Sequence, residues 1–285
     1  MNTVDLHTHS TYSDGTYTPE ELVRYGKEKG LSAIALTDHD TLDGISEALD
    51  CGRKYGIEVI PGIEISAEYD NSELHIAGLF VDNENKEFIS ALENLRRSRE
   101  NRNIEMVEKL NRIGVNIDYK RVLSRAGCGV ITRAHIAREV IDNGYALSNN
   151  EVFERYIGKG KPAYVKRRVM SWQETIRLIK ESGGLPVLAH PLLYKMSERR
   201  LETVAADLAA GGLAAIEAYY STHSPADVKY IKMLAEKNNL KLSGGSDFHG
   251  TNKPKLDLGR GYGDLKVPYE VLLELKKELN RQRGV

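Results

Sequence analysis

Residues 3–36 read TVDLHTHSTYSDGTYTPEELVRYGKEKGLSAIAL, and their order decides the fold class. Thr3–Leu6 is a short apolar run. Thr18-Pro19-Glu20-Glu21 is a capping box with proline at the first helical position, and Gly30 stops the helix it opens. Ser32–Leu36 is a second apolar run. The stretch therefore predicts strand, helix, strand. The same rhythm continues outward, with apolar runs at Glu58–Ile60, Leu74–Val81, Leu185–Ala189, Leu213–Ala218 and Leu240–Ser243. Further helices open at Ser171-Trp172-Gln173-Glu174, ending near Gly183-Gly184, and at Ser224-Pro225, running to about Asn238. Each run is too short for an ordinary helix and too apolar for a one-faced strand, which predicts a parallel sheet buried on both sides. The fold class is α/β, as a barrel or a doubly wound sheet.

One region breaks the rhythm. Residues 96–168 show helical periodicity and only a weak strand candidate at Cys128–Thr132. They carry 17 Lys and Arg against 8 Asp and Glu, so the remainder of a chain of net charge −1 is acidic. The reading is an inserted, mostly helical, basic subdomain over 96–168, set into an α/β body formed by 1–95 and 169–285. The near-cancelling total charge points to no whole-molecule attraction for nucleic acid or membrane. Two cysteines, Cys51 and Cys128, in no paired motif exclude a disulfide scaffold and a cysteine zinc site. No segment reaches the ~18 apolar residues of a membrane span, and the first residues do not resemble a signal peptide. A cytoplasmic enzyme is the default expectation.

Of eight histidines, seven lie at or near predicted strand ends: His7, His9, His39, His75, His190, His223 and His249. Asp14, Asp38, Glu64, Glu217 and Asp247 mark the same places. In a parallel barrel, strand ends share one mouth, where active sites are built. Residues i and i+2 of an extended segment point the same way, so His7 with His9, and Asp247 with His249, can each hold one ion. Imidazole and carboxylate without thiolate form a set suited to Zn, Mn or Fe.

The segments DLHTHSTYSDGTYTPEELV, ALTDHDTLDG, VIPGIEIS, LHIAGLFV, VLAHP and GGSDFHG resemble the motifs of the PHP (polymerase and histidinol phosphatase) family of metal-dependent phosphoesterases. The resemblance is greatest to a stand-alone nucleotide-directed subgroup with a helical insertion. It implies a distorted (β/α)7 TIM-like barrel with a three-metal cleft, the divalent ions being Mn, Zn or Fe. His7 and His9 would bind the first metal, with Glu64 bridging to the second and Asp247 completing the first site. His75 and His190 would finish the second, and Asp14, His39 and His249 would hold the third. Some relatives have histidine at the position of Asp14. Asp38 is expected to orient an imidazole through its other nitrogen. Asp5 and Asp40 are read as structural.

Clustered cations lower the pKa of a bridging water and neutralise phosphoryl oxygens during in-line displacement. The expected reaction is hydroxide attack on phosphorus with no covalent enzyme intermediate, the leaving group being protonated by a metal-bound water or by His223. His223 equally qualifies as a substrate contact. In the insertion, Arg133 and His135 sit at a predicted helix start and can converge on an anion, and the similarity of Arg133-Ala134-His135-Ile136-Ala137 to segments of the nucleotide-directed PHP subgroup implies a substrate-phosphate clamp. The alternative for His135 is a structural hydrogen bond. Lys159, Lys161, Lys166, Arg167 and Arg168 form a further basic cluster. The substrate is expected to be a small nucleotide, a nucleoside 5′-monophosphate or 3′,5′-bisphosphate. Alternatives are a 5′→3′ exonuclease on short RNA or DNA oligonucleotides, a histidinol-phosphate phosphatase, an amidohydrolase and a non-catalytic metal-stabilised module. Amidohydrolases often use a carbamylated lysine, and no lysine ends a predicted strand.

Overall fold

A computed structural model describes residues 2–127, 129–166 and 169–284. β1 (Thr3–Thr8), α1 (Pro19–Glu28), β2 (Ala33–Leu36), α2 (Ile45–Tyr55) and β3 (Glu58–Tyr69) alternate as the sequence predicts, with β1, β2 and β3 parallel. The predicted capping box forms: Thr18 accepts from the Glu21 amide, and the Glu21 carboxylate accepts from the Thr18 amide.

The chain then departs from an all-parallel sheet. Asp70 and Asn71, at φ 45° and 58°, make a two-residue hairpin turn of the kind that needs positive φ at both positions. β4 (Ser72–Leu79) consequently runs back antiparallel to β3. An antiparallel strand presents its beginning where its parallel neighbours present their ends. His75, at the start of its apolar run, therefore reaches the same rim as the histidines that follow strands.

The long helix α3 (Lys86–Arg112) crosses the 95/96 boundary. Its first half packs Phe88, Leu92 and Leu95 on the body, and its second half packs Met106, Val107 and Leu110 into a separate apolar cluster. α4 (Tyr119–Ala126), α5 (Arg133–Asp142), α6 (Asn149–Val152) and a π-helical turn at Phe153–Ile157 follow, and among these Val122, Ile136, Val140, Val152 and Ile157 join that cluster. The weak strand candidate at 128–132 forms no strand over its described residues, 129–132. Instead the Val130 amide bonds the Tyr12 carbonyl, tying the segment before α5 to the loop after β1. Cys128 lies outside the described residues, and Cys51 is a buried free thiol.

The body resumes with β5 (Met170–Ser171), α7 (Trp172–Glu181), β6 (Leu185–Leu188), α8 (Glu198–Ala210), β7 (Ala215–Tyr220), α9 (Pro225–Lys237), β8 (Lys241–Gly245), β9 (Val267–Pro268) and α10 (Tyr269–Arg283). The strand order is β8-β7-β6-β4-β3-β2-β1-β9, with β5 attached to β3. Beyond β8 the chain meets the upper half of β1, where the Asp247 amide bonds the His7 carbonyl and the His9 amide bonds the Phe248 carbonyl. Seven principal strands thus form a nearly closed, distorted (β/α)7 barrel. Alternate residues separate two cores, as the period of two requires. Ile34, Leu36, Ile65 and Ile216 pack with the surrounding helices, whereas Val4, Ala33, Ala35 and Val187 pack with Val271, Leu272 and Leu275 of α10. Among the described residues no helix is long and apolar enough to cross a membrane.

Candidate metal centre

The nine side chains singled out as ligands come to one rim. His7 and His9 leave the end of β1, Asp14 lies in the following loop, and His39 follows β2. Glu64 stands in the middle of β3, beside His39 rather than at a strand end. Its neighbours explain why the site is built around it. Oε1 lies 2.8 Å from His75 Nδ1 and 2.8 Å from His190 Nε2. Oε2 lies 3.1 Å from His39 Nδ1, 3.3 Å from His9 Nε2 and 3.4 Å from His7 Nε2. Asp247 Oδ1 is 3.2 Å from His9 Nε2, and Asp14 Oδ1 is 3.2 Å from His249 Nε2. Four overlapping groups have donor atoms within 4.8 Å of one another: His9, Asp14, His39 and His249; His7, Glu64 and His190; His7, His9 and Asp247; His39, Glu64 and His75.

These donors fit divalent cations. His7 Nε2, His9 Nε2, His39 Nδ1 and Glu64 Oε2 are buried and make no hydrogen bond, although they face one another. A buried polar atom without a partner costs about 1–3 kcal/mol. Cations held in the overlapping groups would satisfy these atoms. Burial leads in holding His9 and His39 down to about 4, with the neighbouring imidazoles of His249 and His39 adding to it at His9. Burial works to raise the Glu64 carboxyl, but the imidazoles of His39, His75 and His7 hold it well below the ordinary range. Asp14 is held low in the same way, against burial, by His249 and His39. Burial disfavours charge on His75, yet Glu64 and Glu73 push it up to about 10. His190 and Asp247 hold φ of 31° and 58°. Such backbone costs a non-glycine residue about 1–3 kcal/mol and persists where the surroundings fix it.

A second layer fixes the imidazoles. Glu217 Oε1 lies 3.1 Å from His7 Nδ1, and its Oε2 accepts from the His190 amide at 2.6 Å. Tyr194 OH accepts from the His75 amide at 2.8 Å and donates to the Ala189 carbonyl at 2.9 Å. Asp38 does not bond the imidazole of its neighbour His39. It accepts from the Ser10 amide and hydroxyl at 2.7 and 2.6 Å and from Ser13 Oγ at 2.5 Å, and Ser13 Oγ in turn lies 3.4 Å from His9 Nδ1. Asp38 thus acts on His9, through a serine, because the loop after β1 folds back over it. Asp5 is structural, accepting from the amides of Ser246 and Gly259, each at 2.8 Å.

The start of α5 faces this rim. A cleft with about 420 Å³ of open space is lined by Asp14, His39, Glu73, His75, Arg99, Thr132 and Arg133, among others. Arg133 is the first residue of α5, sits 5.5 Å over the Phe153 ring and is 3.8 Å from Glu73. His135 is mostly buried, and its Nδ1 is taken by the Thr132 amide at 3.1 Å, so that nitrogen caps α5 and is not free for a substrate. His223 Nδ1 lies 2.9 Å from the Ala218 carbonyl, and its Nε2 makes no hydrogen bond. It lines a separate cavity with Tyr220 and Tyr262. Of the second basic cluster, Lys166 pairs with Glu68 and Lys159 reaches the Asn71 carbonyl, while Arg167 and Arg168 lie outside the described residues.

The model of the PHP domain matches residues 5–158. The chain belongs to the PHP family. Among curated relatives, this PHP protein is 32% identical over 270 residues to the 3′,5′-nucleoside bisphosphate phosphatase of Chromobacterium violaceum, covering 91% of each chain. It is 36% identical over 261 residues to the 5′-3′ exoribonuclease of Escherichia coli, covering 90% of this chain and 88% of that one. Among solved structures, a Chromobacterium violaceum chain described as an amidohydrolase, with sulfate bound and no metal, superposes with a TM-score of 0.88 at 30% identity, over 97% of this chain and 96% of the other. A Bifidobacterium adolescentis chain described as a metal-dependent phosphoesterase superposes at 0.86 and 28% identity over the same shares. The PHP chain is accordingly a metal-dependent phosphoesterase, a hydrolase that uses divalent ions on a phosphate substrate.

Sequence reasoning gave Glu217 no role although it marked the end of an apolar run, which was the available signal. It missed Tyr194, Tyr220 and Lys253 altogether. Lys253 reaches the rim from the turn after β8, where no strand-end search looks, and pairs with Asp247.

Proposed function

We propose that this chain removes a phosphoryl group from a small nucleotide carrying a second phosphate, a nucleoside 3′,5′-bisphosphate being the best fit. The supporting observation is the cleft in which Arg133, at the start of α5, faces the same space as Asp14, His39 and His75. His7, His9, Glu64 and Asp247 would hold one ion, with Glu64 bridging to a second at His75 and His190, and Asp14, His39 and His249 would hold a third. Bound there, Mn, Zn or Fe supplies Lewis acidity and an activated water. The chain's own groups do the rest. Glu217 keeps the His7 proton on Nδ1, leaving the Nε2 lone pair directed inward. Ser13 carries the influence of Asp38 to His9. Arg133 supplies a planar donor for the phosphate that is not cleaved. Arg99, bonded to Asp40 at 2.5 Å, holds α3 against the rim.

A second reading, stepwise 5′→3′ release of mononucleotides from short oligonucleotides, is favoured by one specific feature. Arg99 also lines a neighbouring groove with Arg96, Arg97 and Asn103, so the cleft continues along α3. Protein loaded with manganese, and separately with zinc, should be given AMP, adenosine 3′,5′-bisphosphate, a 5′-phosphorylated dinucleotide and histidinol phosphate. Fastest phosphate release from the bisphosphate is expected. Mononucleotide release from the dinucleotide exceeding it would transfer the assignment to the exonuclease, and preference for histidinol phosphate would refute both.

A further inference from the structure

Two carboxylates at the rim are treated differently by their neighbours. Both oxygens of Glu64 face imidazoles. Asp247 is divided. Its Oδ1 lies 3.2 Å from His9 Nε2, 3.4 Å from His249 Nδ1 and 3.7 Å from His7 Nε2. Its Oδ2 accepts from Tyr220 OH at 2.7 Å and from Lys253 Nζ at 2.6 Å. A carboxylate oxygen has two lone pairs, so two donors saturate Oδ2 and leave Oδ1 alone to face the histidines.

The donors come from independent elements. Tyr220 ends β7 and is buried, its ring lying 5.7 Å from that of His190 and 5.3 Å from that of His223. Lys253 closes the short turn Gly250–Asn252, and its ammonium also lies 3.4 Å from the Asp247 carbonyl, strapping a residue whose φ is 58°. The same turn ties down a second candidate ligand, since Asn252 Nδ2 donates to the Asp14 carbonyl at 2.8 Å.

We propose that Tyr220 and Lys253 are positioning residues that hold Asp247 as a one-oxygen ligand of a single divalent cation, leaving the bridging role to Glu64. This rests on Asp247 being a metal ligand. Groups that orient ligands in this way are typically worth 10- to 100-fold in metal affinity.

The test is Mn²⁺ titration of metal-stripped protein, read as ions bound per chain and as affinity against a competing chelator. The melting temperature of the stripped form is measured alongside. Tyr220→Phe removes one donor without changing charge and is expected to weaken Mn²⁺ binding at least tenfold. Lys253→Met should do the same, and Lys253→Arg, which keeps a donor, should recover most of the loss. If Lys253 merely repelled the cations, Lys253→Met would bind Mn²⁺ more tightly than the parent. That result would overturn the proposal, as would both variants staying within twofold of the parent, or a fall in melting temperature with unchanged affinity. Should Lys253→Met fail to fold, Tyr220→Phe decides by itself. A parent protein that binds no Mn²⁺ would refute the metal site as a whole, which is a different outcome from variants that match a metal-binding parent.

Discussion

Glu217→Gln is the substitution whose consequence the structure fixes most closely, because it changes one atom and has only two ways to fit. The carboxylate accepts on both sides, from His7 Nδ1 at 3.1 Å and from the His190 amide at 2.6 Å. An amide can accept on one side only. If its oxygen faces the His190 amide, its NH₂ faces His7 Nδ1, which must then accept, and the ring proton moves to Nε2. That nitrogen points at Glu64 Oε2, 3.4 Å away, where the cation belongs. If the amide is reversed, two donors meet at the His190 backbone, and a buried N–H is left unbonded at a cost of about 1–3 kcal/mol. Either orientation damages a ligand. A 10- to 100-fold loss of metal affinity follows from such outer contacts, about 1.4–2.7 kcal/mol. Burial opposes a charged His7, but Glu217 and Glu64 hold its pKa well above the ordinary value; removing the Glu217 charge also removes the field that favours a cation there. The assay is bound Mn²⁺ against free Mn²⁺, with phosphate release at saturating metal as the second measurement. Affinity and turnover both equal to the parent would refute the reasoning, since no third orientation of the amide satisfies both partners.

Arg133→Ala should raise KM for a 3′,5′-bisphosphate by about 10- to 100-fold, the worth of a charged hydrogen bond, and leave KM for an aryl phosphate nearly unchanged; equal effects on both would remove the second-phosphate contact. Asp5→Asn turns an NH₂ toward one of the amides of Ser246 or Gly259, and should cost about 1–3 kcal/mol in denaturant unfolding. Removing metal with a chelator should lower the melting temperature, and Mn²⁺ at about 1,000 times its Kd should restore about 4 kcal/mol. A melting temperature indifferent to chelator and Mn²⁺ would contradict the fit of the buried, unbonded histidine nitrogens.

Much of this was legible in the chain because the signals were local. The capping box at Thr18 and the Ser224-Pro225 opening set helix starts within a residue, and each of the seven apolar runs corresponds to a strand. Histidines at strand ends could be counted without knowing how the strands pair. What stayed hidden depends on contacts distant in sequence. Asp38 sits next to His39 but turns to Ser10 and Ser13, 25 to 28 positions away. Lys253 and Tyr220 find Asp247 only once the turn after β8 is folded. His135 was open to two roles because a helix-capping histidine and an anion-binding one occupy the same position. The 95/96 boundary falls inside α3 because helical periodicity continues while the packing partner changes.

The reversal at β4 is the least legible step and the one on which the geometry turns. Ser66 pairs with His75 and Glu64 with Ala77. With a period of two, Glu64, Ser66 and His75 share one face. Leu74 and Ile76, on either side of His75, are fully buried in the apolar core. A slip of one residue would turn His75 into that core and bring an aliphatic side chain to the rim. Two buried aliphatic side chains therefore oppose any other register, and the two-residue turn at Asp70-Asn71 fixes it from the other end. The hydrophobic pattern of this hairpin, and no bond to any ion, is what first aims His75 at Glu64.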